Sequence, residues 1–469
     1  MTVQTKYARI EDRIVMLGLG SIGQAVLPLL LRHLDVRPEQ IEVFAADELG
    51  REIAEEYGLT LRVEPVGKQN YRQLLDLNAG CFLINLSVGV SSKALIQLCR
   101  ETGALYLDTC ILPWPDEDSA DLSATERSNY GLREEVFAMH KPGTPTAVVT
   151  MGANPGLASA FLKSALKGMA EDNEVDVHKT STGQEDWARL ARDLDIKTIH
   201  VAERDTQTSP QRRRRGEFVN TWSVRGLITE GLQPAELGWG THDRHWPRDA
   251  GRHNYGSDAA IFLNRPGAGT RVRSWTPLEG SYHGFLITHA ESISIAEYLT
   301  VKEESGRVAY RPTVYYAYHP CDDAVLSLHE MAGKNWEQPR SVRIMRDEIS
   351  SGTDELGLLL MGNKKGVYWY GSRLGIEEAR SLVEYNSATS LQVAAGVLSG
   401  VIWALNNPRS SIVEPDDIPA DDILDVASPY LGEVVGEYGD WTPLHGRETY
   451  FDEDLDRNDP WQFKNFRVN

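Results

Sequence analysis

The first 150 residues alternate short apolar runs with stretches of helical spacing. Apolar residues recur three and four positions apart over Ser21–His33 and Ser91–Thr102, which predicts two helices. Strand-like runs surround them at Arg13–Leu17, Ile41–Ala45, Leu59–Val63, Cys81–Leu86, Ala104–Asp108 and Thr146–Met151. This alternation predicts an α/β fold, with an N-terminal Rossmann domain over residues 1–155 built on a doubly wound parallel sheet.

The pattern loosens after residue 155, where Trp, Tyr, Gly and Pro become frequent. The strand-like segments FVNTWSV, TRVRSW, GFLITH and GVYWYG are not separated by regular helices. They predict a second, mixed α+β domain over residues 156–375. A strongly helical segment begins at Ala388 and stops at Asn407, directly before Pro408. We expect residues 376–469, this helix and the tail, to pack back on the first domain.

Composition narrows the classes of function. The chain has 68 acidic and 48 basic side chains, a net charge of −20, which disfavours nucleic acid and anionic membranes and suits cationic ligands. Apolar runs such as AVLPLLL are too short to cross a bilayer, and the N-terminus has no apolar targeting segment. The four cysteines form no C-x-x-C pair, which indicates reduced thiols and a cytoplasmic protein. They are Cys81, Cys99, Cys110 and Cys321.

The segment IVMLGLGSIGQAVLPLL carries a nucleotide-binding signal. Gly18, Gly20 and Gly23 form G-x-G-x-x-G between the first strand and the first helix, with Ser21 and Ile22 at the helix start. Such glycines permit a tight turn, close approach of the backbone to a pyrophosphate, and close helix packing. The motif alone is weak evidence, but its position between a strand and a helix favours a dinucleotide site.

Other strand ends complete the predicted cofactor site. Asp47 lies just beyond the second strand, where an acidic side chain binds the adenosine ribose and favours NAD over NADP. Ligands of open α/β sheets lie beyond the carboxyl ends of the strands. We therefore expect these residues near the redox centre: Asn85, Ser87, Thr109, Ala153 and Asn154.

The second domain contains carboxylates and indoles suited to an organic cation. They are Glu203, Trp222, Glu230, Glu236 and Trp239, accompanied by His289 in what reads as an apolar strand. Taken singly, a strand Trp is usually core and a loop Glu is usually solvated. Only their combination indicates a cation site.

Motifs along nearly the whole chain resemble those of bacterial homospermidine synthases, in the wider saccharopine-dehydrogenase-like group. They are GLGSIG, NLSV, GANPG, IHVAERDTQ, FVNTWSV, ITEGLQPAELGWG, RVRSWTP, THAESISIAEYLT, YAYHPCDDAVLSLHEM and DPWQF. The resemblance implies an NAD-dependent homodimer that joins two putrescines through an imine, releases ammonia and returns the borrowed hydride.

The resemblance also implies roles for particular side chains. His289 would serve as the base that shuttles protons near neutral pH. Glu203 and Glu230 would hold the amine nitrogens, and Trp222 would stabilise a cationic iminium. Asn154 would orient the reacting amine, and Asp354 would anchor its far end. No metal is expected, because the His, Cys and acidic residues of HPCDDAVLSLHEM match no standard zinc spacing.

Two positions depart from the family pattern. Gly89, after NLSV, and Leu112, before Pro-Trp, stand where the family pattern has acidic residues. Three interpretations therefore remain open. One is homospermidine synthase, and the second is a related amine dehydrogenase or imine reductase acting on a different amine or a carboxylated partner. The third is a catalytically silent NAD-binding regulator, which the joint presence of Glu203, Trp222, Glu230 and His289 disfavours.

Overall fold

A computed structural model describes residues 5–117, 121–175, 183–384, 386–447 and 451–468. Up to residue 150 the helices and strands are, in order, β1 Ala8–Arg9, β2 Ile14–Leu17, α1 Ser21–His33, β3 Leu34–Asp35, β4 Ile41–Ala45, α2 Arg51–Glu56, β5 Thr60–Val63, α3 Tyr71–Leu75, β6 Phe82–Asn85, α4 Ser92–Thr102, β7 Leu105–Asp108, α5 Asn129–Phe137 and β8 Ala147–Val148.

The middle of the chain contains α6 Leu157–Asp172, α7 Gln184–Asp193, β9 Thr198–Asp205, β10 Glu217–Asn220, α8 Val224–Leu232, β11 Pro234–Gly238, β12 Ala250–Arg252, β13 Ala260–Pro266, β14 Arg271–Thr276, β15 Gly280–Phe285, α9 Ala290–Tyr298, β16 Val301–Lys302, β17 Val308–Tyr310, β18 Thr313–His319, α10 Asp322–Gly333, β19 Ser341–Ile344, β20 Thr353–Met361, β21 Val367–Gly375 and α11 Ile376–Leu382. The C-terminal part contains α12 Ala388–Asn406, β22 Ile412–Val413, α13 Ala420–Ala427, β23 Glu433–Gly439 and α14 Phe463–Phe466.

The first sheet is parallel throughout, in the order β22-β8-β7-β6-β2-β4-β5. Its central strands β2 and β6 are buried along their whole length, because helices cover both faces. The chain order reverses at β2, so the carboxyl ends of β2 and β6 lie at the topological switch point, where such sheets bind ligands. The predicted doubly wound sheet is confirmed.

The second sheet is mixed, in the order β12-β13-β11-β18-β9-β20-β21-β23, with the hairpin β14–β15 joined through β18. Only β9 and β18 in this order run parallel, and the other neighbours are antiparallel. Glu203 lies opposite Tyr318 in the last but one pair of these two strands, at the end of the sheet that carries the candidate site. The predicted second α+β domain is therefore confirmed.

Helix α12 returns to the first domain, as the sequence predicts, and packs along α1. At 19 residues it is long enough to cross a bilayer, which corrects the expectation that every apolar run is too short. Its most apolar 18-residue stretch has a mean hydropathy of 1.6, and 83% of that stretch is buried inside the protein. Its apolar surface is covered by α1, α13 and strands of both sheets. The helix is thus a core element that joins the two domains.

The tail departs from the prediction that residues 376–469 pack on the first domain. Strand β23 pairs with β21 of the second sheet. The side chains of Trp441, Phe463 and Phe466 are buried in a core formed with strands of that sheet. Aromatic side chains of this size bury wherever a matching apolar face lies, and the sequence does not reveal which sheet offers it. In this region α12 and β22 pack on the first domain, and two side chains also bond to it: Tyr430 contacts His33, and Glu414 pairs with Arg133.

Candidate active site

A cavity lies between the carboxyl ends of the first sheet and the parallel strands of the second. It contains about 1210 Å³ of unfilled space, a volume that includes space open to solvent. The first domain contributes Ile22, Leu86, Ser87, Val88, Thr109, Cys110, Ile111, Leu112, Asn129, Thr150, Gly152, Ala153, Asn154 and Pro155. The remaining lining residues are Glu203, Trp222, Ser223, Gly226, Thr229, Glu230, Gln233, His289, Ala290, Tyr316, Thr389 and Val393.

The glycine-rich turn leaves its end of the cavity open for an anion. A Cβ at Gly18 would lie 2.8 Å from the Leu86 carbonyl oxygen, and the φ of +93° there also requires glycine. A Cβ at Gly20 would meet nothing within 4 Å, so this side of the turn is free. No side chain caps the first turn of α1, and the buried Ser21 hydroxyl has no hydrogen-bond partner among the described residues. These free donors at a helix N-terminus are suited to phosphate oxygens.

Of the glycine-rich turn only Ile22 lines the cavity, and two further predicted cofactor residues, Asp47 and Asn85, also lie away from its surface. Asp47 is exposed beyond β4, where its carboxylate accepts a hydrogen bond from the Leu49 amide at 3.1 Å. Asn85 does not line the cavity, contrary to expectation, because its side-chain oxygen is turned to the Ser87 amide and hydroxyl, at 3.2 and 2.6 Å. Ser87 does line the cavity, so Asn85 supports the loop that Ser87 belongs to.

Glu203 is almost completely buried at the end of β9. The Asn154 side-chain amide donates to its carboxylate at 3.2 Å, and the Tyr316 hydroxyl donates to the same oxygen. Burial raises the pKa of Glu203 to about 8, and the nearby Asp205 adds to the effect, although Tyr316 and Asn154 oppose it. Glu203 can thus exchange a proton near neutral pH, which a general acid or base must do.

His289 lies between two carboxylates. Its Nε2 is 3.2 Å from Glu230 and its Nδ1 is 3.2 Å from Glu291. Burial alone would lower the pKa of His289, but the two carboxylates outweigh it and raise the pKa to about 10. The imidazole is therefore protonated at neutral pH. A charged imidazole can donate a proton, whereas the sequence analysis expected His289 to act as a base; of the two groups, Glu203 has the pKa closer to neutrality.

The secondary structure around His289 also differs from the prediction. Strand β15 ends at Phe285, and His289 is the N-cap residue of α9 rather than part of a strand. The apolar run continues across the boundary because the strand end and the first turns of the helix are both buried. A hydrophobic run of this kind cannot distinguish the two by periodicity alone.

Trp222 lies in the loop between β10 and α8 and lines the cavity with part of its indole. Its Nε1 donates a hydrogen bond to the Tyr318 hydroxyl at 2.9 Å, which fixes the ring plane. An indole so oriented can contact a cation through its face. Glu236 and Trp239, by contrast, do not line the cavity. Glu236 accepts the Thr288 hydroxyl behind it, at 3.0 Å.

Asp354 does not reach the cavity surface, although the sequence analysis expected it to anchor an amine there. It is fully buried on β20, where the Thr389 hydroxyl donates to it at 2.5 Å. Burial and the neighbouring Glu203 and Asp205 raise the pKa of Asp354 well above its ordinary value. Thr389 lines the cavity and Asp354 does not, so Asp354 lies behind the cavity wall and is linked to it through Thr389.

Sequence reasoning missed two functional candidates. Tyr316 donates to Glu203, and its ring centroid lies 4.4 Å from that of His289, so it contacts both titrating groups. The sequence indicates Tyr316 only by its place in the apolar run TVYYAYH, which forms strand β18. Glu291 is fully buried and holds the far side of His289. The spacing H-A-E in THAESISI was its only signal.

Leu112 lines the cavity, as expected of a residue at its mouth, whereas Gly89 does not. Gly89 adopts a φ of +83°, and a Cβ there would lie 3.2 Å from the Pro115 ring. The neighbouring Val88 lines the cavity and is 48% exposed, so the first-domain side of the mouth is apolar.

Comparisons with known proteins agree with this geometry. Residues 14–148 match the family described as saccharopine dehydrogenase NADP binding domain, and residues 152–440 match the saccharopine dehydrogenase C-terminal domain. A homospermidine synthase of Blastochloris viridis is 50% identical over 476 residues and covers 100% of both chains. One of Mesorhizobium japonicum is 47% identical and covers 98% of this chain and 97% of its own.

A solved structure is similar in fold as well. The homospermidine synthase of Legionella pneumophila, crystallised in complex with NAD, shares 48% sequence identity with this chain. The two superpose with a TM-score of 0.92 over 98% of each chain.

Proposed function

The chain belongs to the homospermidine synthase family, and we propose that it is an NAD-dependent enzyme that joins two putrescines into homospermidine and releases ammonia. The observation that carries the proposal is the convergence of three groups on one cavity beside the glycine-rich turn: Glu203 with Asn154, the His289–Glu230 pair, and the Trp222 indole. Carboxylates, a proton donor and an aromatic face are what amine oxidation and imine transfer require.

The cofactor fits the residues that are present. The turn with Gly18, Gly20 and Ser21 has an open backbone and an unpartnered hydroxyl for the pyrophosphate. Ser87, Thr109 and Ala153 would surround the nicotinamide end, and Asp47 would hold the adenosine ribose. NAD bound there would supply the acceptor and donor of hydride, so that the overall reaction has no net oxidation.

Glu203 accepts a proton from the substrate amine, and His289 donates one to the leaving ammonia. An alkylammonium must lose a proton before its carbon can release hydride, and Glu203, with a pKa of about 8, accepts it. Asn154 orients the same nitrogen. The resulting iminium is stabilised by the face of Trp222. After a second putrescine amine has attacked, ammonia leaves with a proton from His289, which Glu230 and Glu291 keep charged.

A second candidate is a related amine dehydrogenase or imine reductase that acts on a different amine or a carboxylated partner. The apolar mouth formed by Val88 and Leu112 favours it, since a long dication gains little there. The third interpretation, a silent regulator, is disfavoured because a pKa of about 8 at Glu203 and about 10 at His289 in one cavity is typical of catalytic sites. The homodimeric state and the cytoplasmic location stay predictions.

The test is incubation of the purified protein with putrescine and an amount of NAD far below that of the amine. Mass spectrometry should find homospermidine and ammonia in excess over NAD, with little NADH in the absorbance spectrum. Formation of NADH in step with product would instead indicate an ordinary amine dehydrogenase. Absence of any product from putrescine would overturn the proposal.

A further inference from the structure

A second chamber adjoins the candidate active site on its solvent side. It contains about 1290 Å³ of unfilled space, partly open to solvent, and shares Val88, Thr229 and Gln233 with the inner cavity. Because the two spaces have these residues in common, a molecule that enters the inner cavity from this side passes the chamber first. The chamber is therefore placed to select what reaches Glu230 and His289.

Helix α8 is the wall between the two spaces. The helix lines the chamber with Arg225, Ile228, Thr229 and Leu232. It lines the inner cavity with Gly226, Thr229 and Glu230, and Gln233, directly after the helix, lines both spaces. These are two neighbouring stripes at the three- and four-residue spacing of a helix. Arg225 lines the chamber and Glu230 lines the inner cavity, so the two adjoining faces of one helix carry opposite charges.

The chamber is basic, whereas the inner cavity is acidic. Arg127 and Arg225 line the chamber, and no Asp or Glu does so among the described residues. The Arg127 Nε is buried without a hydrogen-bond partner in the part of the chain that the structure describes. Arg225 is exposed in the first turn of α8, where the helix dipole disfavours a cation and no acidic side chain compensates. Neither guanidinium has a carboxylate partner among the described residues, so both can contact an anionic group of a ligand.

We propose that this chamber binds the carboxylate of an amino-acid-like acceptor amine, so that the enzyme accepts such a molecule in the place of the second putrescine. The inference rests on the proposed function. The amine of the acceptor would lie near Glu230. Its chain would pass the opening lined by Val88, Thr229 and Gln233, and its carboxylate would reach Arg127 and Arg225 in the chamber.

The reaction balances without a further oxidant. Putrescine loses hydride and a proton to become an imine, and the acceptor nitrogen attacks its carbon. The carbon–nitrogen bond to the original amine then breaks, ammonia leaves, and the same hydride returns to that carbon. Putrescine and 4-aminobutanoate would thus give N-(4-aminobutyl)-4-aminobutanoate and one ammonia.

The experiment is a competition between two acceptors of equal length. Putrescine and NAD are mixed with equal amounts of 4-aminobutanoate and butylamine, which lacks the carboxylate, and the products are quantified by mass spectrometry. We expect the carboxylated product to exceed the butyl product roughly tenfold or more, since a charge-assisted contact of about 1.4 kcal/mol corresponds to a factor of ten. Arg225→Glu and Arg127→Gln should each lower this ratio roughly tenfold. Arg212→Glu, an exposed charge reversal outside both spaces, should leave it unchanged.

Two outcomes separate failure of this inference from failure of the proposed function. If homospermidine forms from putrescine alone but the acceptor ratio is near one in the wild type and in Arg225→Glu, the chamber proposal is overturned and the proposed function stands. If no product forms in any mixture, the proposed function fails, and calorimetric titration of 4-aminobutanoate into the NAD-loaded protein tests the chamber separately. Binding that Arg225→Glu weakens supports the chamber, and equal or absent binding in both overturns it.

Discussion

Substitution of Glu291 tests whether His289 is protonated at neutral pH and donates that proton in the reaction. It does not line the cavity, but its carboxylate lies 3.2 Å from His289 Nδ1 on the side away from Glu230. Glu291→Gln keeps the shape of the side chain and removes the charge. We therefore expect the change to act on His289 alone, without displacing a ligand.

The size of the effect follows from the charges around the imidazole. The pKa of His289 is about 10, compared with an ordinary 6.5. Two carboxylates at the same distance share this rise, so removing one should lower the pKa by roughly 2 pH units, or about 3 kcal/mol at about 1.4 kcal/mol per unit. If ammonia leaves with a proton from His289, the alkaline decline of kcat should move from about pH 10 in the wild type to about pH 8 in the variant.

Two assays check this prediction. The first is the pH profile of kcat for homospermidine formation, with Glu304→Gln, which removes an exposed carboxylate, as the matched control. The second is the free energy of unfolding. A raised histidine pKa stabilises the fold fully below pH 6.5 and loses this contribution as the pH rises through about 10. The stability difference between wild type and Glu291→Gln should thus be largest near pH 6 and disappear above pH 10. An alkaline decline that does not move in a folded variant would refute the proton-donor role.

The remaining predictions concern the cation site and its mouth. Glu230→Gln should reduce kcat/KM for putrescine by an amount equivalent to about 2–5 kcal/mol, because it leaves His289 with one carboxylate and removes a charge partner of the amine. Trp222→Phe should be milder, about 0.5–2 kcal/mol, since a ring face remains, and steady-state kinetics that both variants leave unchanged would show that the cation site is misplaced. Leu112→Glu should lower the KM for putrescine and make it more sensitive to salt, and a KM that stays constant at every ionic strength would exclude this position from substrate attraction. Gly89 is a poorer test of the same idea, because any side chain is strained at its positive φ.

The sequence predicts the first domain well because its signals are local. The glycines at 18, 20 and 23 and the buried strand before them define the turn by short-range sterics, and helix α1 has the predicted bounds. Glu203, Trp222, Glu230 and His289 were found through motifs spread along the chain, and the structure brings all four to one cavity.

The remaining features depend on contacts between segments far apart in sequence. Glu291 acts through its distance to His289, and Asp354 lies behind Thr389 because β20 and α12 meet there. The protonation of His289 depends on two carboxylates from different elements, which no periodicity can reveal. The aromatic tail is similar: its residues read as buried, but the sheet that buries them is set by the tertiary fold.

The central claim is that one NAD molecule, bound in this cavity, accepts hydride from putrescine and returns the same hydride to the product. Putrescine carrying deuterium at all four positions on its two nitrogen-bearing carbons tests this directly, in the presence of excess unlabelled NADH. If the hydride is returned before the cofactor leaves, homospermidine retains all eight deuterium atoms of its two precursors. A product that has lost one deuterium to the NADH pool would contradict the account, because oxidation and reduction would then be separate events on exchangeable cofactors.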